Sequence, residues 1–397
     1  MENAQSCTQV IVDTVHNEVI LLPKRKPSVL EKHTIPYKLL ELIAICGELP
    51  AGQIKRLYGS TSYKFKAITR LKEDNYIRLF YRDQLRGYRL NTQSKRLLLL
   101  DNSVRFSYFL SGVSETNRPK VEITRRLRLH RIAETYITML HAGVFIFRDE
   151  KPPVFYPAGK KEIAPLHICE PTFYSSREIK EVGTNFVKIK NARMVGALLT
   201  LSALYVVYNS SDAQMRWHYK SEMRTKALMK TILCRERLPH QYHPDQLQAV
   251  LLGENMDVAC QILMHSEGAK RNYFILDLNY EHFHFFPNDT NGETALKLLC
   301  DAERTQMLYT ILSENLFEAK TGWAIEHDAI AAGDIPVLFA CNFDMPRIAR
   351  FATALQFQER QGIIICFDFQ ADALRRYCGD YTVIQTISLE KFKGGFY

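Results

Sequence analysis

The sequence predicts an α+β protein, in which a small helical unit closed by a β-hairpin precedes an α/β domain with a mixed, partly parallel sheet. Three observations carry that expectation. Apolar residues recur at helical spacing from Ile35 and give way to a hairpin pattern that ends at Leu90. From about residue 144, strand-like and helix-like segments alternate to the end of the chain. Charge follows the same division: residues 1–130 hold 23 Lys and Arg against 12 Asp and Glu, and the remainder holds 29 against 31. A length of 397 residues, at about 150 per domain, suits two such units.

The elements follow in order. Val10–Val12 and Val19–Leu22 read as short strands, and Lys24-Arg25-Lys26-Pro27 as a basic linker. Tyr37, Leu39, Leu40, Leu42, Ile43 and Ile45 give a first helix that Gly47 stops. Leu49 to Gly52 turns, and Gln53–Tyr58 makes a short second helix broken by Gly59. Ser60 or Thr61 caps a third helix that runs to about Asp74, with Tyr63, Ala67, Ile68 and Leu71 on one face and Lys64, Lys66, Arg70 and Lys72 on the others. Tyr76–Arg82 and Gly87–Leu90 then read as a hairpin turning over Asp83 to Arg86.

Three helices and a hairpin in this order are the winged helix-turn-helix arrangement, in which the third helix enters the major groove and the hairpin lies along the backbone. Basic and small polar side chains on those elements are the expected contacts with double-stranded DNA: Lys55, Ser60, Thr61, Ser62, Tyr63, Lys64, Lys66, Arg70, Arg82, Arg86 and Arg89. Lys and Arg on such a surface gain affinity by releasing phosphate counterions.

Beyond the hairpin, Thr92–Leu100 reads as a helix, Ser114–Pro119 as a loop, and Arg125 to about His141 as a long helix ended by Gly143, with Leu127, Ile132, Tyr136, Met139 and Leu140 inward. Strands are expected at Val144–Phe147, Tyr205–Tyr208, Tyr273–Leu278, His282–Phe286, Pro336–Ala340, Ile363–Phe367 and Thr382–Ile387. Helices are expected at Asn191–Ala203, Arg216–Cys234, Asp245–Leu263, Thr294–Leu299, Asp301–Asn315, Met345–Arg360 and Gln370–Tyr377. The run from 336 to 387 has the βαβ signature of parallel strands. The expected spans are thus an arm and linker over 1–34, the winged helix over 35–102, a linking helical region over 103–143 and the α/β domain over 144–397, with 240 as the place where that domain would divide.

Nine cysteines without a CxxC pair argue for reduced thiols and a cytoplasmic protein, and the N-terminus shows no secretory signal. The most apolar stretch, Val195 to Tyr208, is shorter than the roughly 20 residues that span a bilayer, so no membrane association is expected. No GxxxxGKS/T, GxGxxG, GxSxG or HExxH occurs, and no cofactor is expected.

An alternative is a metal-dependent nuclease, which would need Mg²⁺. Glu178-Ile179-Lys180 supplies an E-x-K of the kind that PD-(D/E)xK nucleases place on a strand, although no Pro-Asp strand precedes it. Asp277, Asp344 and Asp368 end expected strands, where carboxylates of an open α/β sheet would gather around a metal, though Asp344 and Asp368 equally suit helix caps. Glu178, Lys180 and Asp368 are the catalytic candidates under that alternative. His282 and His284, two apart on a strand, are packed or surface histidines before they are ligands.

The order of basic winged helix, linking helix with His130-Arg131-Ile132-Ala133-Glu134, and α/β domain resembles the replication-relaxation family of plasmids and integrative mobile elements, over residues 35–230. Ser175 to Lys180 and Ala192 to Gly196 are similar to segments of mobile-element proteins of Gram-positive bacteria. The resemblance implies a winged-helix DNA binder fused to a nuclease-like fold, acting in replication, transfer or their regulation, as a homodimer with replication or conjugation proteins as partners. A transcriptional repressor would share the same N-terminal features. The chain departs from the family in lacking a Pro-Asp and acidic strand pair.

Overall fold

The computed structural model describes residues 30–156, 166–183, 192–212, 215–265, 274, 276 and 279–394, with the backbone of 9–12 and 19–22. The basic linker at 24–27 and Asp277 lie outside the described residues, as does most of the expected strand at 273–278. β1 (Gln9–Val12) and β2 (Val19–Leu22) pair antiparallel.

The chain then forms α1 (Ile35–Cys46), β3 (Leu49–Pro50), a 3-10 turn (Ala51–Arg56) and α2 (Thr61–Glu73). β4 (Ile77–Arg82) and β5 (Leu85–Leu90) complete an antiparallel sheet in the order β3-β5-β4. Asp83 and Gln84 both have positive φ, 52° and 59°, so the hairpin turns over two residues, in the sense that matches strand twist, rather than the four the sequence suggests. α3 (Thr92–Asp101), α4 (Ser103–Leu110) and α5 (Ile123–His141) follow.

β6 (Thr172–Ser175), α6 (Ser176–Ile179), β7 (Gly196–Leu199), β8 (Leu204–Ser211), α7 (Tyr219–Thr231), β9 (Leu247–Gly253), α8 (Met256–Met264) and β10 (Phe283–Pro287) build a five-stranded sheet. Its order is β10-β9-β8-β7-β6, parallel from β8 to β10 and antiparallel from β8 to β6. After α9 (Thr290–Cys300) and α10 (Ala302–Ser313), the same connectivity recurs. β11 (Phe317–Glu318), β12 (Ala329–Ala331), β13 (Ile335–Phe339), α11 (Met345–Phe357), β14 (Gly362–Phe367), α12 (Ala371–Tyr377) and β15 (Thr382–Ile387) lie in the order β11-β12-β13-β14-β15, parallel from β13 onward, and α13 (Leu389–Gly394) follows.

The chain is therefore a mixed α+β protein with parallel and antiparallel pairing in both large sheets. The βαβ run from 336 to 387 is parallel, as the sequence indicates. Three expectations are corrected. Asn191–Ala203 is no helix: its described part holds β7. Asp245–Leu263 divides into β9 and α8, because Asn255 caps a new helix by accepting from the Asp257 N–H at 3.0 Å. Val144–Phe147 forms no strand and makes one isolated bridge, Phe145 to Thr172.

β8 shows how the layers are held. Leu204, Val206 and Tyr208 turn to one hydrophobic cluster with Met229, Ala259 and Phe351, while Tyr205 and Val207 turn to a second with Tyr136, Ile137 and Leu296. This period of two buries both faces of the sheet. The second cluster continues through α1 and α2 by way of Ile43, Ile68 and Leu71, with α5 between the N-terminal elements and the sheet.

Candidate nucleic-acid interface

α2 begins at Ser60, whose hydroxyl accepts from the Tyr63 N–H. Ala67, Ile68 and Leu71 anchor its inner face, so helical geometry turns Ser62, Tyr63, Lys66 and Arg70 outward, and all four are exposed. Lys55 and Thr61 are also exposed, and among the described residues Arg70 pairs only with Asp74, at 3.9 Å. On the hairpin, Arg82 and Arg86 are exposed; Arg86 lies 5.1 Å over the ring of Tyr81, itself 58% exposed. Cations and aromatic rings together suit phosphate and base stacking.

Two of the expected contacts face inward. Lys64 is buried, and its ammonium donates to the carbonyls of Lys55 and Leu57, each at 2.7 Å, tying α2 to the preceding turn. Arg89 is buried against Glu48 at 2.6 Å and donates to the carbonyls of Pro119 and Lys120. Neither offers its charge to a ligand from solvent.

Glu48 is the centre of this part of the molecule. Its carboxylate, fully buried, takes Arg89 from β5, and Arg126 at 2.6 Å and His130 at 2.9 Å from α5. Burial pushes the carboxyl up, but the bonds from His130, Arg126 and Arg89 outweigh it and hold it at about 2. Arg126 also donates to the carbonyls of Arg82 at 2.7 Å and Leu85 at 3.0 Å on either side of the hairpin turn. The hairpin is thereby positioned from α5.

Sequence reasoning missed a further positive surface. Arg78, Lys95, Arg118 and Lys120 line a groove of about 660 Å³ behind the hairpin. Lys95 is held below its usual pKa by desolvation and by the charges of Arg78 and Arg118. The two loop cations, Arg118 and Lys120, were the available signal.

The nuclease candidates do not converge. Glu178 is buried, bonded to Lys151 at 2.8 Å and to Ser175 in a capping box on α6, so its carboxylate is committed to structure. Lys180 lies past the end of α6, on no strand, and lines a separate cavity. Asp344 is buried; His282 lies 2.6 Å from it and the Phe283 N–H donates to it at 3.1 Å. Burial acts to raise that carboxyl, and the His282 bond holds it below the usual range. Neither expected cap has the expected form: Asp344 precedes α11 without a side-chain cap bond, and Asp368 is exposed, bonded to the Phe369 N–H. His284 is buried, with Gln248 Oε1 and the Asn342 carbonyl beside its two ring nitrogens. Among the described residues, no group of three or more His, Cys, Asp and Glu is arranged to hold a metal ion. The eight described cysteines form no disulfide, and no described helix is long and apolar enough to cross a membrane.

No family model matches the chain, and no curated protein or solved structure matches it either.

Proposed function

We propose that this protein binds double-stranded DNA through a winged helix-turn-helix formed by α1, the 3-10 turn, α2 and the β4–β5 hairpin, with α2 as the recognition helix. The observation that carries the reading is the outward face of α2, where Ser62, Tyr63, Lys66 and Arg70 are exposed, together with the exposed Arg82 and Arg86 of the hairpin. An arginine or lysine at such positions reads guanine edges or contacts phosphate, and a hairpin arginine follows the backbone or the minor groove. The cysteine usage supports action in the cytoplasm. The architectural resemblance supports a role in replication, transfer or regulation of a mobile element, as a homodimer recruiting replication or conjugation proteins; a homodimer would read two half-sites spaced by whole turns of the duplex.

The test is electrophoretic mobility shift of the full chain on the DNA flanking its own gene, at two salt concentrations, beside Lys66→Ala/Arg70→Ala. Wild type should shift a discrete fragment and the variant should lose roughly 100-fold in affinity, as expected when two phosphate or base contacts are removed. Absence of any shift at low salt, or equal binding by the variant, would sink the reading.

A further inference from the structure

We propose that the cavity between α5 and the end of β8 binds a small phosphate-bearing ligand, at a site separate from the outward face of α2. The cavity encloses about 690 Å³, within the range of roughly 300 to 1,000 Å³ typical of small-molecule sites. Five cations line it, Arg128 and Arg131 from α5, Lys180 from the turn after α6, Arg193 from the lead into β7, and Arg216, and none of the described lining residues is acidic. Only Arg128 has an ion-pair partner, Glu115; among the described residues no carboxylate pairs with the other four. Five positive charges around one cavity repel one another, and that repulsion is relieved by a multivalent anion.

Arg131 sharpens the chemistry. Its Nε is buried and has no hydrogen-bond partner among the described residues, while Asn209 Nδ2 holds the Arg131 backbone carbonyl at 3.0 Å and so fixes this turn of the helix beside the cavity. Burial and the charge of Arg193 disfavour its cationic form, and the charges of Glu134 and Asp212 offset them only in part, so an anion at the unpartnered Nε would stabilise it further. Four of the five cations are arginines, whose planar forks match phosphate oxygens two at a time and are retained where a point charge would not orient the ligand. Leu127, Ile132, Met194 and Met215 also line the cavity, beside Thr124, Ser176, Asn209 and Ser210, and this apolar part of its wall suits a base or another flat group attached to the phosphate. Inorganic phosphate and a nucleotide share the chemistry that these arginines recognise; the apolar wall separates them.

The experiment is calorimetric titration and thermal shift of the full chain with inorganic phosphate and with ATP, beside two variants. Arg131→Met/Arg193→Ser removes two of the cavity's five cations, and Lys66→Ala/Arg70→Ala removes charge from α2. ATP should bind at one site with Kd below about 1 mM and raise the Tm. The cavity variant should bind roughly 100-fold more weakly, and the α2 variant should bind as wild type does. Phosphate binding as tightly as ATP would identify the free ion as the occupant; ATP binding tighter by about tenfold would place a base on the apolar wall. Should the double variant fail to fold by circular dichroism, Arg193→Ser alone, at an exposed position, should weaken ATP by about tenfold. The proposal is overturned if neither probe binds wild type, or if ATP binding survives in the cavity variant. It is also overturned if the cavity variant loses duplex DNA while wild type binds no ATP, because the cavity would then continue the DNA surface.

Discussion

Two buried glutamates in this protein meet opposite fates, and the difference shows what burial does to a charge. Glu48 in the N-terminal part and Glu222 on α7 are both shielded from solvent, at 0% and 2% exposure. Glu48 faces two guanidiniums and a histidine, and is held at about 2. Glu222 is hydrogen-bonded by neutral donors, the Arg193 backbone N–H at 2.6 Å and the Tyr208 hydroxyl at 3.1 Å; burial outweighs them and the weaker pull of the Arg193 charge and lifts it to about 7. Desolvation acts upward on both; only partners of opposite charge reverse it.

The largest expected effect follows from Glu48. Glu48→Gln leaves Arg89 and Arg126 buried without a counter-charge, which should cost about 3 to 5 kcal/mol in urea unfolding. A loss under about 1 kcal/mol would show that the cluster relaxes toward water and would remove the contrast. Because the native carboxyl sits far below its ordinary value of 4.5, its contribution is present above that value and disappears as pH falls toward about 2.

Gly87 tests the same cluster sterically. A Cβ at this position on β5 would lie 2.3 Å from Glu48 Oε1, so Gly87→Ala must displace the carboxylate or the strand. The expected loss is about 1 to 3 kcal/mol, typical of overpacking, and the hairpin's hold on α5 should loosen with it. An unchanged urea midpoint would mean that Glu48 has room to move.

Glu222 should respond with the opposite sign. A carboxyl raised in the folded state contributes stability below its unfolded value of 4.5 and loses it as pH rises through about 7. Glu222→Gln keeps an acceptor for the Arg193 N–H and removes the charge. It should therefore stabilise the protein at pH 8 by roughly 1 to 2 kcal/mol and do little at pH 5. Equal effects at the two pH values would show that Glu222 is ionised throughout.

The same contrast explains what was legible in the sequence. Most elements from Ile35 to His141 could be read because their helices carry an apolar stripe and are punctuated by Gly47, Gly59 and Gly143, although β3 reads as part of a turn and α4 does not stand out. β7 and β9 could not: both faces of their sheet are covered, so Gly196–Leu199 and Leu247–Gly253 read as continuous apolar runs, indistinguishable by period from a buried helix. Lys64 was legible in principle. It stands three, four and seven residues before Ala67, Ile68 and Leu71, on the apolar stripe, where residue type alone suggests the surface. Arg126 sits likewise in register with Leu129, His130 and Ala133, the side of α5 that is buried, whereas Leu127, expected inward, is 37% exposed. Their partner Glu48 lies 41 residues before Arg89 and 78 before Arg126, a pairing that no local pattern encodes.

The smallest effect on stability, and the most informative for function, belongs to the charges that stayed outside. Arg82→Ala/Arg86→Ala removes exposed cations whose only side-chain partners among the described residues are Asp83 at 3.5 Å and the Tyr81 ring, so unfolding should change by less than about 0.5 kcal/mol. If the hairpin lies on the DNA backbone, the pair should weaken specific and non-specific fragments alike and flatten the dependence of log affinity on log salt by about 2. The α2 variant should instead change which fragment is preferred, because a recognition helix meets base edges. The opposite pattern, with sequence preference following Arg82 and Arg86, would exchange the two roles: the hairpin would read bases and α2 would hold the backbone. Arg126 makes that exchange physically possible, since it fixes the carbonyls of Arg82 and Leu85 and so holds the turn rigid enough to enter a groove.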